Sequence, residues 1–282
     1  MTDQTLANYI DSLRSIRQER SFSILWQDNK VWVKQQEHAA PKWLQLASHA
    51  IAALSSNPLY FPSAESGAPL EREAVRLKLM HVKGFRVPEV LLATPNYLVL
   101  SDVGPSLKYW LTKSTISVNE RRHILLEAAA ALAQLHQNRY WHGRPALRDL
   151  CWDGKQIGFI DFEEDPHQML SIDQCMVRDL LIFVHGLYRY LPTTDPLIVE
   201  VINEYRRLAP ERVWREGIKT VEQMWLIYPV LELSHNLLGK DGKQAVMALR
   251  QLRQYQSRSK RSKLPWLLIS AALAYALADQ FD

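Results

Sequence analysis

Over the first hundred residues, apolar and β-branched positions alternate or gather in short blocks. Beyond residue 118 they recur at a spacing near 3.6. The chain therefore reads as a strand-bearing front and a helical back. Residues 22–36 read as a hairpin, with β-branched and aromatic residues flanking a turn at Gln27-Asp28-Asn29-Lys30. A short helix is expected at 41–56 and a second over 70–82, which Gly84 closes in the position a C-cap needs. Pro88 opens extended structure, Tyr97-Leu-Val-Leu100 reads as a buried strand, and Gly104-Pro105 stops it. Helical spacing then covers 118–139, 171–190, 195–208, 219–239 and 242–256. The interruption at 140–168 suits two short strands joined at Asp153-Gly154.

Composition narrows the class. With 282 residues and 47% hydrophobic content the chain has ample material for a core, which excludes a disordered or collagen-like protein. Two cysteines, Cys151 and Cys175, cannot build a disulfide framework or a four-cysteine zinc site. No period of 20–50 residues repeats. The start of the chain has no basic patch followed by an apolar run, so a cytoplasmic protein is expected. A net charge of +4 permits anionic partners without demanding them.

Candidate chemistry gathers around the interruption. Asp161 follows the apolar strand Ile157-Gly-Phe-Ile160 and precedes further acidic residues, an oxygen-rich setting that suits Mg²⁺ or a solvated acidic loop. Asp149 begins the same hairpin, so the turn brings both carboxylates to one end, where a pair can hold a metal that bridges phosphates. Lys34 ends the strand Val31-Trp-Val33. Glu73 lies on the apolar stripe of Leu70, Ala74, Leu77 and Met80, where a carboxylate needs a cation. Lys34 is one candidate partner for Glu73; Arg76 and Lys78 are the local ones.

Read in order, these pieces resemble the protein kinase-like superfamily, in particular its small bacterial branch of lipopolysaccharide-core sugar kinases, RIO-type kinases and aminoglycoside phosphotransferases. The resemblance covers about residues 20–190. It implies a two-lobed α+β fold with an N-lobe at 1–103, a helical C-lobe at 104–257 and a terminal segment at 258–282. It also implies an ATP-dependent phosphotransferase. Lys34 resembles the ATP-positioning lysine, Glu73 the helix glutamate that pairs with it, and Asp161 in Phe159-Ile-Asp-Phe-Glu163 the metal-binding aspartate. Asp179 is similar to the buried aspartate that braces the catalytic loop. His142-Gly-Arg144 resembles that loop, with Arg144 where a catalytic aspartate is expected, and Asp149 falls where a metal-binding asparagine is expected. A shifted register instead makes Arg148-Asp149 the catalytic pair, so Asp149 is open to either role. The hairpin loop over 22–34 has no glycine, a second departure. The cofactors implied are ATP and Mg²⁺, and the acceptor implied is a hydroxyl on a sugar, glycolipid or protein. The alternative is a pseudokinase that binds a nucleotide or partner.

Residues 250–263 carry six Lys and Arg, and 264–278 are nearly all apolar. Fifteen residues reach about 22 Å as a helix, short of a membrane span. The pair suits peripheral contact with an anionic membrane surface, or a buried final helix behind a basic linker. No stacking-aromatic or recognition-helix module accompanies the basic run, which reads against nucleic acid.

Overall fold

The computed structural model describes residues 3–36, 70–113, 115–224 and 240–255. Internal packing divides the chain into two units, Met1–Gly217 and Ile218–Asp282. The boundary expected near residue 103 lies inside the first.

The hairpin is formed by β1 (Ser21–Trp26) and β2 (Asn29–Gln35), which pair antiparallel. Its two-residue turn places Gln27 and Asp28 at φ of 49° and 63°. Two left-handed residues match the twist of the flanking strands, which is how a loop without glycine still turns the chain. With β3 (Val90–Ala93) and β4 (Tyr97–Ser101) the strands form one antiparallel sheet in the order β1-β2-β4-β3.

Successive side chains alternate faces. Phe22, Val31, Val33, Tyr97 and Val99 pack on one side with Leu6 and Ile10 of α1 (Asp3–Arg14). Lys34, paired with Leu98 across the sheet, therefore points to the opposite side, where α2 (Leu70–Val82) packs. Gly84 takes a φ of 80° just past α2, as its C-cap role requires.

The helical part of the first unit begins with α3 (Leu107–Thr112), capped by Ser106, and α4 (Val118–Gln137), capped by Ser117. A second sheet of β5 (Leu150–Trp152) and β6 (Ile157–Phe159) follows. Asp153 Oδ1 accepts from the amides of Lys155 and Gln156, and Gly154 takes a φ of 96°, so the Asp-Gly turn forms as expected. Next come α5 (Ile172–Tyr190), opened by a Ser171–Gln174 capping box, and α6 (Pro196–Leu208), which packs on α4. The fold is α+β.

Helix α7 (Glu211–Met224) starts eight residues before the expected position of 219. Pro210 provides the reason: its carbonyl accepts from the Val213 amide, and the helix begins directly after it. Helix α8 (Lys240–Arg253) belongs to the second unit. The expected helix at 41–56, the 225–239 part of 219–239, and residues 258–282 lie outside the described residues. Among the described residues no helix is long and apolar enough to cross a membrane.

Candidate functional site

The chain leaving β4 passes Asp102, which anchors three groups. Its Oδ1 accepts from Trp32 Nε1 at 2.7 Å and lies 3.1 Å from Lys30 Nζ, while Oδ2 accepts from the Gly104 amide. Gly104 has a φ of 100°, and a Cβ there would sit 3.0 Å from the Trp152 carbonyl oxygen. Only glycine lets this segment lie on β5, where the Trp152 amide donates to the Pro105 carbonyl. Between the first sheet and the β5–β6 hairpin lies a cleft of about 630 Å³, lined among others by Trp32, Lys34, Glu73, Arg148, Asp149 and Asp161.

Lys34 is 8% exposed, and Glu73 is 2% exposed. Lys34 Nζ lies 2.7 Å from Glu73 Oε2, donates to Asp161 Oδ1 at 2.7 Å, and lies 3.3 Å from Glu163 Oε2. Burial alone would pull the Lys34 ammonium down; Glu73, Asp161 and Glu163 together hold it above its usual value. Glu73 is pushed up by burial despite its cation. Burial also acts upward on Asp161, but Lys34 and Arg144 outweigh it and hold the carboxyl well below the usual range. Asp161 has a left-handed φ of 66°, an uncommon conformation for a residue with a side chain.

The hairpin brings Asp149 to the same end, with the Ile160 amide donating to the Asp149 carbonyl at 2.9 Å. Asp149 is buried, and its Oδ2 has no hydrogen-bond partner among the described residues. Burial and then the Asp161 charge push its carboxyl up to about 7. Arg144 Nη2 donates to Asp161 Oδ2 at 2.7 Å and lies 3.9 Å from Asp149 Oδ2, while its Nε lies 3.3 Å from Glu164 Oε1. Arg148 Nε is 3.6 Å from Asp149 Oδ1. Arg178 donates to Glu164 Oε2 at 2.6 Å, and Arg20 pairs with Glu163.

Three further groups fix the loop carrying Arg144. Asp179, fully buried, accepts from the amides of His142 at 2.6 Å and Gly143 at 2.8 Å, the bracing geometry expected of it. His142 Nε2 donates to the Ile160 carbonyl at 2.8 Å and its Nδ1 accepts from the Arg144 amide at 3.3 Å. These partners require one neutral tautomer, in keeping with burial holding this imidazole down at about 4. Gly143 takes a φ of 103°, and a Cβ there would collide with the Glu164 carbonyl.

The third group, Arg76 of α2, was legible in the sequence only as a rival partner for Glu73. Its Nη1 donates to the carbonyls of Phe162 at 3.1 Å and Glu164 at 2.5 Å, and its Nη2 to those of Trp141 at 3.0 Å and His142 at 3.2 Å. One guanidinium thus ties the helix that carries Glu73 to both segments flanking the carboxylates.

All five candidate site residues read from the sequence, Lys34, Glu73, Arg144, Asp149 and Asp161, meet in one ion network. The first sheet, the helix carrying Glu73, the loop braced by Asp179 and the hairpin aspartates thus converge on one cleft of an α+β fold. No family model matches the chain. An uncharacterized protein of Haemophilus influenzae is 28% identical over 235 residues, covering 82% of this chain and 89% of its own. Among solved structures, the gentamicin–APH(2″)-IIa complex covers 91% of this chain and 97% of its own, at 13% identity and a TM-score of 0.40.

Proposed function

We propose that the chain is a kinase-like phosphotransferase that moves the γ-phosphoryl group of ATP to a hydroxyl of a sugar, glycolipid or protein. The observation that carries this reading is a buried lysine held in a cleft between a helix glutamate and a hairpin aspartate, Lys34 between Glu73 and Asp161. Phosphoryl transfer passes through a loose transition state in which positioning and charge neutralisation dominate. A lysine fixed at two carboxylates presents its charge at one place in the cleft.

Of the two roles the sequence leaves open for Asp149, proton acceptor is the better supported. Its Oδ2 accepts no hydrogen bond among the described residues, it lines the cleft, and its carboxyl is pushed up to about 7. A base with a pKa near the working pH serves general-base catalysis well. The transfer rate then rises as the pH climbs through about 7 and levels off above it, because only the ionised carboxylate accepts the proton.

Mg²⁺ supplies charge neutralisation in enzymes of this type, and Asp149 and Asp161 are the residues that would hold it. With the Arg144 guanidinium between the two carboxylates, the residues as arranged do not fit the ion. Neutralisation of phosphate falls instead to Lys34 and Arg148 on the cleft wall. The run at 250–278 favours an acceptor or surface that is anionic, such as a glycolipid membrane.

The test is transfer from γ-labelled ATP to a panel of sugars, glycolipids and protein hydroxyls. Wild-type transfer should fall by roughly 10²–10⁴-fold in Asp149→Asn. One observation favours a second reading, a nucleotide-binding regulator: Arg144 stands where the catalytic aspartate is expected and is bound to Asp161. ATP binding without transfer to any acceptor would support that reading over the enzyme.

A further inference from the structure

We propose that the cleft binds a nucleotide polyphosphate without a divalent cation, because Arg144 holds the place between Asp149 and Asp161 that the ion would take. This rests on the nucleotide reading of the cleft and adds to it how the site balances charge.

The guanidinium is not a loose surface group. One end is fixed by Glu164, itself held by Arg178 at 2.6 Å, and the other by Asp161 at 2.7 Å. The Arg144 backbone is set by the His142–Gly143 turn, which Asp179 and Arg178 hold through the Gly143 amide and carbonyl. The side chain is therefore held at both ends, by buried Glu164 and by half-buried Asp161.

The ion network at the site is balanced without a metal. Followed from pair to pair among the described residues, it contains five carboxylates and five cations. In a site where Asp149 and Asp161 stood unpaired, an incoming polyphosphate would be repelled and would need a cation as a bridge. Here each of those carboxylates already faces a guanidinium, and the phosphate meets Lys34 and Arg148. A divalent ion entering the same place must first displace Arg144 from Asp161, breaking a charge-assisted hydrogen bond.

Calorimetric titration of ATP into the full chain, in EDTA and in excess Mg²⁺, tests this directly. The wild-type Kd should agree between the two buffers to within about threefold, a difference well under one decade of affinity. In Arg144→Asp, which removes one cation and adds one carboxylate, the EDTA affinity should fall by about tenfold or more and Mg²⁺ should restore it. Wild-type binding that needs Mg²⁺ overturns the inference and leaves the nucleotide reading standing. No ATP binding in either buffer overturns both.

A second readout needs no nucleotide. Titrating Mn²⁺ into the nucleotide-free chain and following its paramagnetic resonance signal should show uptake by Arg144→Asp and Arg144→Ala at concentrations that leave the wild type empty. Equal uptake by wild type and variants overturns the inference. If Arg144→Asp does not fold, Arg144→Ala and the two wild-type buffers still decide.

Discussion

Replacing Lys34 by Met keeps the length of the side chain and removes its charge. Of the three carboxylates that Lys34 faces, Asp161 keeps Arg144 and Glu163 keeps Arg20. Glu73 is left alone: it is 2% exposed, and apart from its Lys34 contact neither of its oxygens has a hydrogen-bond partner among the described residues. Removing one partner of a buried pair costs about 3–5 kcal/mol. In a unit of this size that corresponds to a fall in Tm of about 6–20 °C.

The pH dependence follows from the direction of the Glu73 shift. Its folded pKa is raised by burial, so a neutral Glu73 costs nothing at low pH, and the penalty grows as the pH rises through the folded value. Thermal melts followed by circular dichroism at pH 5 and pH 8 should therefore show a larger deficit for Lys34→Met at pH 8. The double variant Lys34→Met/Glu73→Leu should recover most of the loss, because an apolar pair of similar volume replaces the stranded charge. A deficit below about 1 kcal/mol, equal at both pH values and unchanged in the double variant, would refute the reasoning, since a buried uncompensated carboxylate cannot be that mild.

Arg76→Ala strands four backbone carbonyls and should cost about 3–5 kcal/mol in urea unfolding, with Arg76→Lys recovering only part because a point donor cannot span the four acceptors. An unchanged urea midpoint for Arg76→Ala would count against its bridging role. Gly143→Ala combines a left-handed backbone with a collision at the Glu164 carbonyl and should lose more than about 2 kcal/mol in a thermal melt; an unaltered Tm would show that the turn can relax. Deleting 258–282 should abolish cosedimentation with anionic phosphatidylglycerol vesicles in low salt, whereas undiminished cosedimentation would mean that the tail is packing rather than anchor.

The parts of the site that were legible in the sequence are those where a local pattern and a chemical need coincide. Lys34 closes a strand of alternating character, and Glu73 interrupts an apolar helix stripe; each is anomalous alone, and pairing resolves both. Asp149 and Asp161 flank a hairpin announced by Asp153-Gly154, so their convergence follows from antiparallel pairing. Arg76 left no such trace, because its partners are backbone carbonyls, which every residue carries. Glu164 read as one more acidic residue after the strand, and only the return of the chain shows it clamped between Arg144 and Arg178.

Two helices were missed for a different reason. Helix α1 does carry a helical pattern, with Leu6, Ile10 and Leu13 at i, i+4 and i+7 against the sheet, but among exposed polar neighbours; α3 shows its inner face through Leu107 and Leu111 alone, too short for a periodic signal to stand out. In α7 the expectation began at 219, although Val213, Trp214 and Val221 already recur at helical spacing; Gly217, a poor helix former, stands between them.

The central claim is that the cleft around Lys34 is a nucleotide site. It is tested most directly by titrating a fluorescent methylanthraniloyl ATP into the wild type and into Lys34→Met, with unlabelled ATP as competitor. The account predicts saturable, competed binding to the wild type and an affinity lower by about tenfold or more in the variant, the worth of one charge-assisted phosphate contact. Equal affinity in both proteins, or binding that unlabelled ATP cannot displace, would contradict it.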